Sequence, residues 1–399
     1  MKRTPHVAIA GAGLGGLTAA LSLLKSGIDV DVYEQAPELR EVGAGVQISA
    51  NGTRVLHALG LADALRDLSW EPAGKELRLW NTGETWPMFD LGAESVQRYG
   101  FPYYMFHRAD LHGVLAAAVL REKPDAIHLN AKAVGCDPDG AQPTLRLAGG
   151  ASVRADVLVG ADGVHSVVRQ ALFGPDQPQF TGCIAWRGVI PAKRLPPHLL
   201  RPVGANWVGP GGHVVHYFLR RGELLNFVGI RERQDWQIES WIAAGSVDEC
   251  LRDFAGWHDD ILTMIRNIET PYKWALKVRE PMAQWTRGRV TLLGDACHST
   301  LPFMAQGAVM AIEDGFILAR CLRLWPDEPE AALRRYESAR RERANGVVRQ
   351  STRMTGLFHN AELADHARAR AFMARQFQPD QTRERYEWLF AYDATAAAV

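Results

Sequence analysis

The chain has 399 residues, 47% hydrophobic and 23% charged, which is the composition of a globular protein and enough length for two packed regions of ordinary domain size. Lysine plus arginine and aspartate plus glutamate balance at 45 each, so no global charge points to nucleic acid or an anionic membrane. Five scattered cysteines with no C-x-x-C pair indicate neither a zinc knuckle nor a redox dithiol and fit free thiols in a reducing cytoplasm, and no metal site is expected.

The first patterned stretch, His6 to Glu34, reads HVAIAGAGLGGLTAALSLLKSGIDVDVYE. Val7 to Ala10 predicts a buried parallel strand, a helix follows from Gly15 to about Ser26, and Val30 to Tyr33 predicts a second strand. Between strand and helix, Gly11, Gly13 and Gly16 form G-x-G-x-x-G. Gly11 permits the tight turn, Gly13 lets a pyrophosphate approach the backbone, and Gly16 lets helix and strand pack closely. The helix N-terminus offers N–H groups and partial positive charge to phosphates. Glu34 stands 23 residues after Gly11, near the spacing of about 20 expected for a carboxylate that holds a ribose. The expectation is a dinucleotide site, with NAD and FAD both open at this point. Val7 to Leu24 carries no charge and follows Lys2-Arg3, but its glycines have the dinucleotide-fold pattern, which argues against a targeting or membrane segment.

Leu39 to Ser49 is a second glycine-containing turn region, and Asn51 is placed to cap a helix bearing Val55, Leu56 and Leu59. Leu77 to Trp80 and Trp86 to Phe89 predict strands around an Asn81-Thr82-Gly83 turn. A helix runs to about Glu122 with Asp110 as its cap. Ile127 to Leu129 and Thr144 to Leu147 predict strands. Val157 to Val159 predicts a buried strand, Gly160 to Gly163 a tight turn, and Ser166 to Leu172 a short helix. From Cys183 to about Glu232 the chain is strand-rich, as an antiparallel sheet inserted into the α/β domain would be. Helical patterns fill Ser240 to Ile268. Arg289 to Asp295 returns to a strand ending in Gly294-Asp295, followed by a loop to Gln306 and a helix from Gly307 to Leu324. The rest is helical, and the arginines from Arg334 to Arg353 predict a solvated face.

Within Gly212 to Ile230, Arg221-Gly222 predicts a tight turn between two strands. Alternation then puts His213, Val215 and Tyr217 on one face and His216 on the other. A two-residue turn sets Asn226 and Val228 opposite Tyr217 and Val215. A histidine beside a phenol suits a general base, because its pKa lies near neutrality.

Three separated stretches, the N-terminal G-x-G-x-x-G, Gly160-Ala161-Asp162-Gly163 and Gly294-Asp295, occur here in order. With them the chain resembles the single-component (class A) FAD-dependent aromatic hydroxylases, and within these the salicylate hydroxylase and 3-hydroxybenzoate 6-hydroxylase branch. The resemblance runs to the closing Glu387 to Tyr392. It implies an α/β fold: a doubly wound FAD-binding domain with an inserted, mostly antiparallel substrate sheet and a helical C-terminal region. The expected division assigns 1–75, 106–178 and 281–330 to FAD, 76–105 and 179–280 to substrate, and 331–399 to the C-terminal helices.

By that resemblance, Gly11, Gly13, Gly16 and Glu34 hold the ADP half of FAD. Arg108 and Asp295 reach its ribityl and pyrophosphate region, and Asp162 and Gly163 serve FAD and a passing NADH or NADPH. Gln47 borders the cofactor and the substrate. Pro302 and Phe303 lie in the loop beside the ring. Gly307 and Ala308 offer N–H groups at a helix N-terminus, where they would stabilise negative charge on a reduced flavin or an oxyanion. The face bearing His213 and Tyr217 lies over the substrate, joined by Val215, Asn226 and Val228. The chain has Pro302 where the 3-hydroxybenzoate pattern has glutamine, and Gln47 and Phe303 where a 6-hydroxynicotinate branch has histidines. The implied reaction is NAD(P)H- and O₂-dependent hydroxylation of a small aromatic acid through a flavin C4a-hydroperoxide, with catalytic roles for His213, Tyr217 and Pro302. Salicylate, giving catechol with decarboxylation, leads. 3-Hydroxybenzoate to gentisate and 6-hydroxynicotinate follow, with a non-oxygenating flavin dehydrogenase or a non-catalytic flavin protein more distant. The implied enzyme is a cytoplasmic monomer or homodimer.

Overall fold

The computed structural model describes residues 5–39, 44–140, 142–236 and 243–399. Lys2-Arg3, residues 40–43 of the second glycine-containing turn and the start of the helical pattern at 240–242 lie outside the described residues.

Val7 to Ala10 are fully buried because their strand, His6–Ala10, pairs in parallel on both sides, with Asp29–Tyr33 and with Val157–Gly160. A strand covered on two edges and two faces has no polar side to show, hence the unbroken apolar run. The six-stranded sheet has the order Thr286–Arg287, Val290–Leu292, Val157–Gly160, His6–Ala10, Asp29–Tyr33 and Ile127–His128, and only the first pair is antiparallel. The Leu14–Lys25 helix lies between this sheet and the Gly307–Leu324 helix.

A seven-stranded sheet stands beside it. Its order is Tyr272–Val278, Gln179–Pro191, Leu224–Glu232, Gly212–Leu219, Val203–Gly209, Gly74–Leu79 and Thr85–Asp90. All its pairings are antiparallel except Val203–Gly209 with Gly74–Leu79. One face buries Trp186, Trp207, Phe218 and Phe227 against Phe254, Trp257 and Met264 from the Val247–Asp253 and Asp259–Arg266 helical region. The opposite face looks toward the six-stranded sheet. Between Gly212–Leu219 and Leu224–Glu232 the connection has four residues, Arg220 to Glu223, rather than two, with Arg220 and Arg221 at φ 47° and 57°. The extra residues are added symmetrically, so the expected register stands: Tyr217 opposes Asn226 and Val215 opposes Val228.

Two caps differ from expectation. Ser49 precedes the Ala50–Ala58 helix, while Asn51 lies inside it, its amide donating to Glu313 Oε1 (2.7 Å) and Gln306 Oε1 (3.2 Å). His107 precedes the Arg108–Glu122 helix, and Asp110 in its first turn pairs with Arg220 at 2.8 Å. In both cases a distant partner claims the side chain that a local cap would have used.

The arginine run is not uniformly solvated either. On the Pro329–Phe358 helix, Arg340 is fully buried between Glu313 (2.6 Å) and Asp314 (2.7 Å). Arg343 reaches Glu313 at 2.8 Å, and His298 meets Asp314 at 2.5 Å. Charges taken out of water must be paired, which locks this helix onto Gly307–Leu324. Three arginines brace the residues beyond. Arg343 binds the carbonyls of Trp388 and Leu389, Arg54 those of Tyr99 and Tyr392, and Arg320 those of Ala394 and Ala397. Among the described residues no helix is long and apolar enough to cross a membrane.

Candidate active site

The Leu14–Lys25 helix begins at Gly13 with no side-chain cap and no acid in its first turn, so its first N–H groups and its positive dipole end are left for an anion. A Cβ on Gly16 would lie 2.1 Å from Gly11 O, so this glycine is required by the fold itself. A Cβ on Gly13 would meet nothing within 4 Å among the described residues: the space above it is a cradle that a side chain would fill. Gly11 lies beneath the turn, its N–H bonded to Tyr33 O at 2.9 Å. Glu34 accepts from the N–H of Ala12 (2.8 Å) and of Ala36 (2.9 Å), which fixes a half-buried carboxylate beside the turn. An uncapped helix N-terminus, an open glycine and a placed carboxylate fit the adenosine diphosphate half of a dinucleotide.

From this turn a cleft of about 350 Å³ runs between the two sheets. It brings together Gly13, Gly16, Gln47, Arg108, Gly163, His213, Val215, Tyr217, Val228, Asp295, Pro302, Phe303, Gly307 and Ala308. Gly11, Glu34, Asp162 and Asn226 lie outside its lining. Asp162 Oδ2 accepts from the N–H of Val167 (2.8 Å) and Val168 (3.2 Å), clamping the start of the Val167–Phe173 helix, while its Oδ1 is buried without a partner among the described residues. Burial raises this carboxyl above the ordinary aspartate value. Asn226 accepts from the N–H of Gly45 at 2.7 Å, a strut behind the cleft wall rather than part of its lining. Asp295 is exposed at the cleft, directly after Gly294 at φ 63°. The Gly307–Leu324 helix, like the first, starts with neither side-chain cap nor acid in its first turn.

The far wall carries the titratable groups. His213 is 1% exposed, edge-on to Phe303 with ring centroids 4.8 Å apart, and its Nδ1 lies 2.7 Å from His359 Nε2. Burial, then the neighbouring His359 and Lys75, hold His213 well below the ordinary histidine pKa, so the ring is neutral at physiological pH. Burial pushes the Tyr217 hydroxyl up, while the Gln47 amide facing it favours ionisation. Gln47 is itself held by the Tyr103 hydroxyl at 2.7 Å. Pro302 opens the short turn that carries Phe303.

Three groups escaped the sequence reading. Arg187 lines the cleft, 5% exposed, over the rings of Trp274 (5.4 Å) and Tyr272 (5.6 Å). It pairs with Val228, so strand parity would have found it once that register was known. Lys75 is buried, its pKa pushed down to about 8 by desolvation. His359 follows the Pro329–Phe358 helix, 146 residues from His213, with no local signal of that contact.

Comparison with known proteins agrees with this architecture. A model of the FAD binding domain family matches residues 4–351. The 3-amino-4-hydroxybenzoate 2-monooxygenase of Streptomyces platensis is 40% identical over 98% of this chain and 96% of its own length. The 6-hydroxynicotinate 3-monooxygenase of Pseudomonas fluorescens is 37% identical over 91% and 94%. A salicylate hydroxylase solved with its substrate superposes with a TM-score of 0.81, at 26% identity over 99% of this chain and 97% of that one. By fold, cleft and relatives, the chain belongs to the FAD-dependent aromatic monooxygenases of the salicylate hydroxylase family.

Proposed function

We propose that this protein hydroxylates a single-ring aromatic acid that already bears a ring hydroxyl, consuming NADH or NADPH and O₂. The observation that carries this is the pairing, in one small cleft, of a neutral buried imidazole, His213, with a buried guanidinium, Arg187. The first accepts a hydroxyl proton and the second attracts a carboxylate. Bound FAD, reduced by the nicotinamide, supplies the oxygen-activating chemistry. In this reading Gly11, Gly13, Gly16 and Glu34 hold its adenosine end, and Arg108, Asp162, Gly163 and Asp295 its middle. The Gly307 and Ala308 N–H groups face developing negative charge. His213 takes the ring-hydroxyl proton, which raises the ring's electron density toward an electrophilic oxygen. Tyr217 and Gln47 orient that hydroxyl. Val215, Val228, Pro302 and Phe303 keep the ring dry.

For the ring itself, the Streptomyces relative shifts the leading reading from salicylate to a 3-amino-4-hydroxybenzoate-like acid. Salicylate stays second, supported by the solved salicylate hydroxylase. Alongside these belong a cytoplasmic location, a monomer or homodimer, and the domain division given above. The deciding experiment follows NADH and NADPH oxidation with product identification on 3-amino-4-hydroxybenzoate, salicylate, 3-hydroxybenzoate and 6-hydroxynicotinate. A hydroxylated product from the first is expected. Catechol from salicylate alone would restore the earlier order, and no hydroxylated product from any of the four would remove the proposal. His213→Ala is expected to keep FAD and slow hydroxylation by roughly 10²- to 10⁴-fold.

A further inference from the structure

We propose that His213, His359 and Glu232 form a proton relay that carries the substrate's hydroxyl proton from the buried His213 wall of the cleft to bulk water. The inference rests on the reading of His213 as the base and adds where its proton goes. The chain is continuous: His213 Nδ1 to His359 Nε2 is 2.7 Å, and His359 Nδ1 to Glu232 Oε1 is 3.0 Å. It also climbs out of the fold. The His213 residue is 1% exposed, the His359 side chain 2%, and the Glu232 side chain 52%. Its members come from two adjacent strands and the end of the Pro329–Phe358 helix, and the backbone ties them again: Gly211 N–H donates to His359 O (3.3 Å), and Glu232 N–H to Gly211 O (2.9 Å).

The partners fix the direction. An ionised carboxylate only accepts, so His359 carries its hydrogen on Nδ1 and donates to Glu232. Neutral His359 then presents a lone pair at Nε2, so His213 donates from Nδ1. His213, which lines the cleft, is left with a lone pair on its other ring nitrogen, Nε2. Each step balances. The substrate O–H gives its proton to His213 Nε2. The Nδ1 proton of His213 passes to His359 Nε2, the Nδ1 proton of His359 passes to Glu232 Oε1, and Glu232 releases it to water. The substrate keeps the electron pair of its O–H bond as phenolate. On product release the sequence reverses, and both rings regain their starting tautomer.

A relay answers a difficulty that a lone base would face. Lys75 and His359 flank His213, Arg231 stands near His359, and Phe303 and Phe358 cover the His213 ring. An imidazolium is disfavoured there, so a proton received must be passed on at once. Among the described residues, the Glu232 carboxylate is the neighbour of His359 that attracts positive charge.

Two measurements test this. ¹⁵N NMR of the FAD-loaded enzyme should find His213 and His359 both protonated at Nδ1; an Nε2-protonated resting His213 overturns the relay. Stopped-flow absorbance then follows phenolate formation when anaerobic holoenzyme meets 3-amino-4-hydroxybenzoate, 3-hydroxybenzoate or 6-hydroxynicotinate, with an indicator dye reporting proton release. Glu232→Gln keeps an acceptor for His359 but takes no proton. It should slow both signals at least about 10-fold at unchanged FAD occupancy and substrate affinity, with Glu232→Asp restoring most of the rate. His359→Phe should do the same. Normal rates in both variants beside a slow His213→Ala would overturn the relay and leave the base in place. A normal His213→Ala would overturn both, as would holoenzyme that binds none of the three acids.

Discussion

His213 and His216 lie three residues apart on one strand and meet opposite surroundings. His213 faces the cleft and a polar partner. His216 faces the tryptophan-rich core, and both its ring nitrogens are buried without a partner among the described residues. Burial, with Arg78 nearby, drives the His216 pKa down to about 3. The sign follows from linkage. The unfolded chain takes up this proton below about pH 6.5, the folded protein only near pH 3, so stability is intact above 6.5 and lost as the pH falls between the two. The slope from this one residue is about 1.4 kcal/mol per pH unit. Calorimetry from pH 7 to 4 should show the melting temperature falling, and His216→Phe should flatten that fall by one proton. An unchanged slope would show that the ring takes up its proton while folded. Arg187 makes a second residue-scale prediction. Arg187→Gln should raise KM for 3-amino-4-hydroxybenzoate about 10- to 100-fold, the worth of a charge-assisted bond of about 1.5–3 kcal/mol, and affect kcat less. The uncharged 3-amino-4-hydroxybenzamide should show no such penalty; an equal loss for both would detach Arg187 from the carboxylate. Alternation along one strand sorted the two histidines from sequence alone, whereas Arg187 needed the pairing of strands some forty residues apart and His359 a helix folded back across the sheet.

At the scale of elements, the stretches legible beforehand were those whose pattern answers to local geometry. The G-x-G-x-x-G turn, the helix starting at Gly307 and the Gly212–Leu219 and Leu224–Glu232 register are of this kind. Caps and charges were not, because Asn51, Asp110 and Arg340 each spend their polar atoms on partners more than twenty residues away. The glycine turn separates scaffold from function. Gly16→Ala forces a Cβ onto Gly11 O and should destabilise the apoprotein, while Gly13→Ala meets no atom of the described residues within 4 Å and should leave its denaturation midpoint unchanged. FAD occupancy after purification should be lost in both. A Gly13→Ala protein that retains FAD would place the pyrophosphate elsewhere. The buried charge cluster makes the opposite kind of prediction. Arg340→Leu strands Glu313 and Asp314 in the core and should cost about 3–5 kcal/mol in chemical denaturation, although Arg340 touches no residue assigned to substrate.

For the molecule as a whole, the cleft takes strand residues such as Arg187, His213 and Val228 from the seven-stranded sheet and, from the other side, the turns at Gly13, Ala161 and Leu293 that follow strands of the six-stranded sheet. Whatever fills the cleft therefore ties the halves together. FAD at a hundredfold excess over its Kd should stabilise the protein by about 2.7 kcal/mol, read as a rise in melting temperature when apoprotein is reconstituted. Gly13→Ala should abolish that rise, and a mutant that still shows it would separate stabilisation from the glycine cradle.

The arginine braces on residues 388–397 set a timetable for biosynthesis. The cleft draws on residues from Gly13 to Ala311, and the helix behind it is fastened to carbonyls as far along as Ala397. At about 5–20 residues per second a ribosome needs about 20–80 s to reach that point. Through that interval the glycine turn waits in the cell without the wall that completes it. Cofactor capture then trails synthesis of the glycine turn by that interval, and a cell short of flavin would accumulate folded, colourless protein.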